Sequence, residues 1–280
     1  MFRRCVALLL CVDVRRIDRL RGGDVFGVTL LNEKLYVLRV CEMDCIMWSG
    51  FDVYRTKDGS WELERVFTVE GQDLRDVTAC AKQQCLYVCD YGTNAVLKLR
   101  LDGTEVYSWP VGEAPVGISV VPDTCNLLVT SDESNQLFEL DCDSGQPLSV
   151  VRLPEEVPSP RHAIRLANGE LLVSHGQHGS HRVCKISSGG DTVIGSYGDK
   201  VEPEMDKLGL PCEMAVDKDG FVFVADCWND RVVLLSPSLQ FVREIRDFGA
   251  CPRRLCLDHF HRLKLRLYVG LDDNLTVIEL

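Results

Sequence analysis

The sequence contains no Cys-x-x-Cys pair, no apolar stretch of membrane-helix length, no Pro/Gly/Ser-rich linker and no long run of like charge. Without the cysteine pair, a zinc ribbon or a thioredoxin-type redox motif has no support. Without about 18 consecutive apolar residues, no membrane helix is expected. Without a linker, one domain is the simpler reading of 280 residues. Also missing are G-x-S-x-G, Walker A, a Rossmann glycine set and the kinase motifs. The glycines of Arg21–Asp24 ("RGGD") are too few to mean phosphate binding, and "KDG", "LDG" and "SGG" read as turns.

What is present is an ordinary globular composition, 46% hydrophobic and 26% charged, with a net charge of −11. Fourteen cysteines is a high count. Many sit inside apolar runs, such as Cys85 and Cys89 in "CLYVCD", Cys184 in "RVCKI" and Cys256 in "RLCLD". There a thiol behaves as a small hydrophobe, so reduced thiols and a cytoplasmic setting are expected. The alternative is secretion, because "MFRRCVALLLCV" loosely resembles a signal segment. Its apolar run is short and no A-x-A-like cleavage site follows.

The dominant feature is a repeat. "FVFVADCWNDRV" (221–232), "CLYVCDYGTNAV" (85–96), "NLLVTSDESNQL" (126–137) and "RLYVGLDDNLTV" (266–277) align without gaps. "ELLVSHGQHGSHRV" (170–183) aligns with two extra residues, and "KLYVLRV" (34–40) opens a sixth copy. Each has an apolar run ending in valine, a polar turn and a second apolar run. The anchoring Val37, Val88, Val129, Val173, Val224 and Val269 are spaced by 51, 41, 44, 51 and 45 residues. That period suits a four-stranded propeller blade.

Pro115, Pro160, Pro211 and Pro252 mark first-strand starts, since proline cannot donate to a ladder. "DKDG" (217–220) and "LANG" (166–169) read as hairpin turns. Segments 146–153 and 241–246 alternate, as outer strands with one wet face do. The last copy ends inside its third strand, while an unpaired strand-like piece begins the chain. The expected fold is therefore an all-β, six-bladed β-propeller, with the N-terminal strand completing the last blade and closing the ring. In outline, 1–11 is an apolar segment of unassigned role and 12–280 a single propeller. Its closing strand covers about 12–21, and its blades about 24–71, 72–113, 114–157, 158–207, 208–249 and 250–280.

"LPCEMAVDKDGFVFVADCWNDRVVLL" closely resembles the NHL repeat, whose pattern is a proline, an "hAVD-x-x-G" strand and "hYVAD-x-x-N-x-R-h". Blade five matches almost fully. Blade two keeps "VCD" but has Thr93 and Ala95 in place of the Asn and Arg, and the other blades keep only the scaffold. The resemblance implies a six-bladed NHL propeller similar to the C-terminal recognition domain of tripartite-motif (RING/B-box) ubiquitin ligases. The chain carries no RING or B-box zinc pattern of its own.

The candidate sites follow from these patterns. Asp226, Asn229 and Arg231, with Asp90 in blade two, read as a structural turn lock rather than as an acid–base site, because short polar side chains bond nearby backbone in turns. "HGQHGSH" gives His175, His178 and His181 as an alternative zinc group. With His162 these histidines fall in one blade, whereas NHL-fold peptidylglycine lyases hold zinc from several. A solvated loop is the favoured reading, and no cofactor or metal is implied.

In a propeller the second-to-third strand turns and the links between blades share a face. That face should hold Trp48, Tyr91, His175, His178 and Trp228, with Arg161, Arg253 and Arg254 near blade entries. Aromatics with arginines are usual in binding hot spots. Segments 1–21 and 251–280 together net +5, against −16 for the rest, so a basic sector at the closing blade makes RNA the runner-up partner. The expectation is a monomeric, non-enzymatic scaffold that binds a protein and no membrane, with ubiquitin-ligase substrate recognition implied by the resemblance. A lyase or hydrolase would need metal ligands meeting in the central channel from several blades.

Overall fold

The computed structural model describes residues 13–17, 23–43, 46–57, 60–69, 73–177, 180–198, 207–246, 248–258 and 265–280. Segment 1–11, His178 and most of the closing segment beyond 13–17 lie outside the described residues. Six four-stranded antiparallel sheets form the ring of a β-propeller. Strand β1 (Asp13–Ile17) precedes blade one, which is β2 (Asp24–Leu31), β3 (Lys34–Met43), β4 (Ile46–Lys57) and β5 (Ser60–Thr68). Blade two is β6 (Leu74–Cys80), β7 (Cys85–Asp90), β8 (Ala95–Arg100) and β9 (Glu105–Pro110). Blade three is β10 (Pro115–Val120), β11 (Leu127–Ser131), β12 (Gln136–Leu140) and β13 (Pro147–Arg152). Blade four is β14 (Pro160–Arg165), β15 (Leu171–Gln177), β16 (Ser180–Ile186) and β17 (Val193–Tyr197). Blade five is β18 (Pro211–Val216), β19 (Val222–Asp226), β20 (Arg231–Leu235) and β21 (Phe241–Ile245). Blade six has β22 (Arg254–Asp258), β23 (Arg266–Gly270) and β24 (Leu275–Glu279), and its fourth strand is β1. That closing pair is antiparallel, with Asp13 opposite Glu279 and Ile17 opposite Leu275.

The burial pattern explains why the repeats read as they do. Second strands such as β7, β11 and β19 are buried at every residue, because they are covered by a neighbouring blade on each face. Their sequences are therefore almost continuous apolar runs. Outer strands such as β13 are exposed along nearly their whole length. Six apolar clusters fill the ring, one in each gap between neighbouring blades. The gap between blades six and one is filled like the others, by Val25, Val28 and Tyr54 against Tyr268, Leu275 and Val277.

The innermost strands carry the feature that builds the site. In five blades the pairing register slips at the same place, a β-bulge: Val25/Gly27, Leu74/Asp76, Pro115/Gly117, Pro160/His162 and Pro211/Met214. Bulges re-aim side chains, and here they set five of the six positions in each of two rings around the axis, blade six supplying the sixth from a strand that pairs in unbroken register. The first is Phe26, Arg75, Val116, Arg161, Cys212 and Arg253, all of which line one cavity. One residue further on come Gly27, Asp76, Gly117, His162, Glu213 and Arg254. The two glycines are required by close approach. A Cβ on Gly117 would meet the Arg161 carbonyl oxygen at 2.2 Å, and one on Gly27 would meet Val77 Cγ1 at 2.5 Å.

Candidate functional site: an arginine-lined funnel over the channel

The first ring and the second-to-third strand turns enclose a cavity of about 360 Å³. Arg75, Arg161, Arg253 and Arg254 converge on it, with Tyr91, Asp132 and Trp228 contributed by the turns of blades two, three and five. Trp228 is 67% exposed, the most exposed large hydrophobic side chain among the described residues. Its indole is held from the neighbouring blade by His181, edge-on at 5.4 Å. Arg75 stacks on Tyr91 at 5.0 Å and on Phe26 at 5.5 Å, and pairs with Asp73 at 2.7 Å. Arg253 pairs with Asp272 at 2.9 Å. Arg161 makes no ion pair among the described residues, and its buried Nε has no hydrogen-bond partner there.

Arg254 links this cavity to the channel. Its Nη1 stands 4.0 Å from Glu213, and its Nη2 donates to the Arg75 carbonyl oxygen. Asp76, His162 and Glu213 come from three blades, are all buried, and bring ligand-type atoms within 4.8 Å of one another. Burial pushes Asp76 up to about 6 against the pull of Arg254. Burial and the Asp76 charge push Glu213 well above the usual carboxylate range. His162 is driven down to about 3 by burial and by Arg254. These groups are already engaged. Asp76 accepts from the Val77 and Ile118 N–H groups at 2.8 and 2.9 Å, and Glu213 from the Leu255 N–H at 3.1 Å. His162 Nδ1 accepts from the Met214 N–H at 3.4 Å. Arg254 already supplies positive charge. A metal ion would have to displace these bonds, so the trio fits a hydrogen-bonded ion cluster better than a metal centre. Sequence reasoning missed this cluster. Part of its signal was there, since His162, Glu213 and Arg254 each stand two residues after a strand-opening proline, whereas Asp76 stands at the same spacing after Leu74.

The structure brings Tyr91, Arg161, Trp228, Arg253 and Arg254 together around the cavity and leaves Trp48 and His175 elsewhere. Trp48 lies on a hairpin arm opposite Cys41, its ring over Gly50, because β3 and β4 extend to Met43 and Ile46. His175 is a correction. The expected solvated loop is short, since β15 and β16 run on to Gln177 and Ser180. His175 is consequently buried, with Nε2 3.4 Å from Cys184 Sγ. His181 is buried as well, and the two histidines complete no metal group among the described residues.

Asp226 stands at the end of β19. Its Oδ2 accepts from Arg231 Nε and Asn229 Nδ2, both at 2.8 Å. Its Oδ1 accepts from the Gly209 and Leu210 N–H groups, at 2.7 and 3.2 Å, in the link entering blade five. Arg231 continues to Glu244 and to the Lys207 carbonyl oxygen. Asp90 repeats the arrangement, accepting from the N–H groups of Gly92, Thr93 and Asp73. The acid therefore ties each link to its turn. Blade one makes a similar buried pair with the partners exchanged, Arg39 Nε to Asp52 Oδ2 at 2.6 Å, which the repeat pattern did not reveal.

The expectation of reduced thiols is corrected at one pair. Cys227 and Cys251 form a disulfide with their Cα atoms 4.7 Å apart. Both lie in turn or link segments rather than in apolar runs, and the turn of blade five meets the link into blade six where they pair. Nine other described cysteines are free.

No family model matches the chain, and no curated protein does. Solved structures do. Virginiamycin B lyase from Staphylococcus aureus superposes with a TM-score of 0.62 at 11% identity, over 96% of this chain and all of that one. Kuenenia stuttgartiensis hydrazine synthase gives 0.65 at 14%, over 94% and 97%. The nidogen/laminin complex gives 0.64 at 12%, over 84% and 85%. The expectation that the chain is not an enzyme does not stand, because virginiamycin B lyase is an enzyme with this architecture. At such identities the likeness shows the fold alone: this chain is a six-bladed β-propeller.

Proposed function

We propose that this propeller recognises a protein partner through the face that carries the funnel. The observation behind the reading is Trp228, held in a fixed, exposed pose on the rim beside Tyr91 and four arginines. Keeping a tryptophan two-thirds exposed is unfavourable in isolation, and aromatic and arginine side chains around a concavity are the usual anchors of interfaces. A closed ring suits the task, because rigid blades hold the turns in place before binding. The nidogen/laminin complex is an assembly of proteins that includes a chain of this fold. The NHL-like motif of blade five supports a role in substrate recognition linked to tripartite-motif ubiquitin ligases, by resemblance alone. Recognition at this face stands whether or not chemistry follows it.

The test is site-specific photocrosslinking in cells, with the probe at position 228 and a control at Tyr107, which is exposed on outer strand β9. A discrete protein adduct from position 228 and none from 107 is expected. Equal labelling from both, or none from 228, overturns the reading.

A further inference from the structure

We infer that the funnel takes a carboxylate, so that the partner presents an acidic side chain to Arg161; this rests on the face proposed above. Three of the four cavity arginines, Arg75, Arg161 and Arg254, have a buried Nε with no hydrogen-bond partner among the described residues. Arg65, Arg165, Arg182 and Arg243, away from the cavity, also have an open Nε, so what distinguishes the cavity is the balance of charge around its arginines. The four guanidiniums are not equivalent. Arg75 is matched by Asp73, Arg253 by Asp272, and Arg254 stands beside Glu213. Of the four, Arg161 alone lacks an acidic partner among the described residues, although it is half-buried on the cavity wall. A planar guanidinium with free N–H groups matches the two oxygens of a carboxylate.

The surroundings favour a single acidic side chain over a nucleic-acid backbone. The cavity has the size of a side-chain or small-ligand pocket, about 360 Å³, rather than of a groove. Its wall includes Asp132, its rim arginines are matched by Asp73 and Asp272, and the chain carries −11. A polyanion would be repelled by that field, whereas one carboxylate enters at the unmatched charge. Cys212, Val116 and the Trp228 ring offer apolar contact for the methylenes of the incoming side chain.

The probes are succinate, its neutral diamide, inorganic phosphate and a single-stranded RNA, at matched ionic strength, read by thermal melts and by calorimetry on the full chain. Succinate is expected to raise Tm in a concentration-dependent way while the diamide does not. Arg161→Gln should weaken succinate binding by about tenfold or more, the loss expected for a charge-assisted hydrogen bond. Because Arg161 makes no ion pair among the described residues, this variant should melt close to the parent in the absence of probe. Arg253→Gln serves as a second variant, with a smaller loss expected. Succinate binding unaffected by Arg161→Gln, no binding, or tighter binding of phosphate or RNA than of succinate each overturns the inference. If position 228 still crosslinks a protein and neither succinate nor Arg161→Gln reduces the adduct, the face survives and the carboxylate site falls. If succinate binds through Arg161 and position 228 crosslinks nothing, the face falls while the carboxylate site keeps its own support.

Discussion

At the scale of single residues, the molecule spends its buried charge on joints. Asp226 is fully buried and fully used: two side-chain donors on one oxygen and two backbone donors on the other. The same acid type at the same place in blade two also accepts from its link, at the Asp73 N–H, and adds the Gly92 and Thr93 N–H groups of its own turn. A recurring role in holding a link is structural, and its motif was readable because it depends on short-range spacing. Asp76, His162 and Glu213 were not readable as a group, because they lie 86 and 51 residues apart in sequence and meet only across the axis. Their ionisation gives a testable pH dependence. The folded-state value of His162 is depressed to about 3 from an ordinary value near 6.5. Its stabilising contribution is therefore complete above about pH 6.5 and is lost as pH falls toward 3. At about 1.4 kcal/mol per pH unit, roughly 2 kcal/mol goes between pH 6.5 and 5. Asp76 acts in the opposite sense. Raised to about 6, it favours the folded state at low pH and withdraws that support as pH rises through 6. Comparing His162→Gln with the parent by denaturant melts isolates the histidine, with Asp76, Glu213 and Arg254 facing it in both. The variant should lose less stability than the parent between pH 6.5 and 5, and parallel losses would count against a buried neutral imidazole.

At the scale of elements, the disulfide fastens the blade-five turn that carries Trp228 to the link that leads to Arg253. It closes a loop with a sequence separation of 24, for which chain entropy predicts a stabilisation of roughly 3 kcal/mol. Cys227→Ser and Cys251→Ser should therefore lower Tm equally, and the double variant should fall no further than either alone. Peptide mapping without reduction should recover the two cysteines in one linked fragment. Additive losses in the double variant would mean that the two thiols act separately. Periodicity picked out the strands and their order, since second strands lie between two blades and outer strands face water. It did not pick out the bulge of the first strands. A bulge shows only in how two strands pair, so the ring of residues it turns toward the axis emerged with the register. The extra residues in "HGQHGSH" were misassigned for a related reason. Two additional residues lengthened two strands instead of loosening a turn.

At the scale of the whole molecule, stability belongs to the ring. The clusters lie between blades, not within them, so opening one gap exposes two apolar faces. Strand β1 supplies the outer edge of blade six and joins the two ends of the chain in one sheet. Deleting residues 1–21 removes that strand, which should cost several kcal/mol. At about 2–4 °C per kcal/mol for a domain of this size, Tm should fall by well over 5 °C. An unchanged melt would show that the closing strand is dispensable. The blade count, the strand order and the closure were determined by the sequence alone, because each blade must hide the same apolar face and so repeats the same pattern. The acid at the turns of blades two and five was legible as a local hydrogen-bonding need. The convergence of Arg161 with Trp228, the channel cluster and the pairing of Cys227 with Cys251 were decided only by the tertiary structure. Each joins residues from different blades or the links between them, and what sets such distances is how the blades pack around the axis, which no local pattern records.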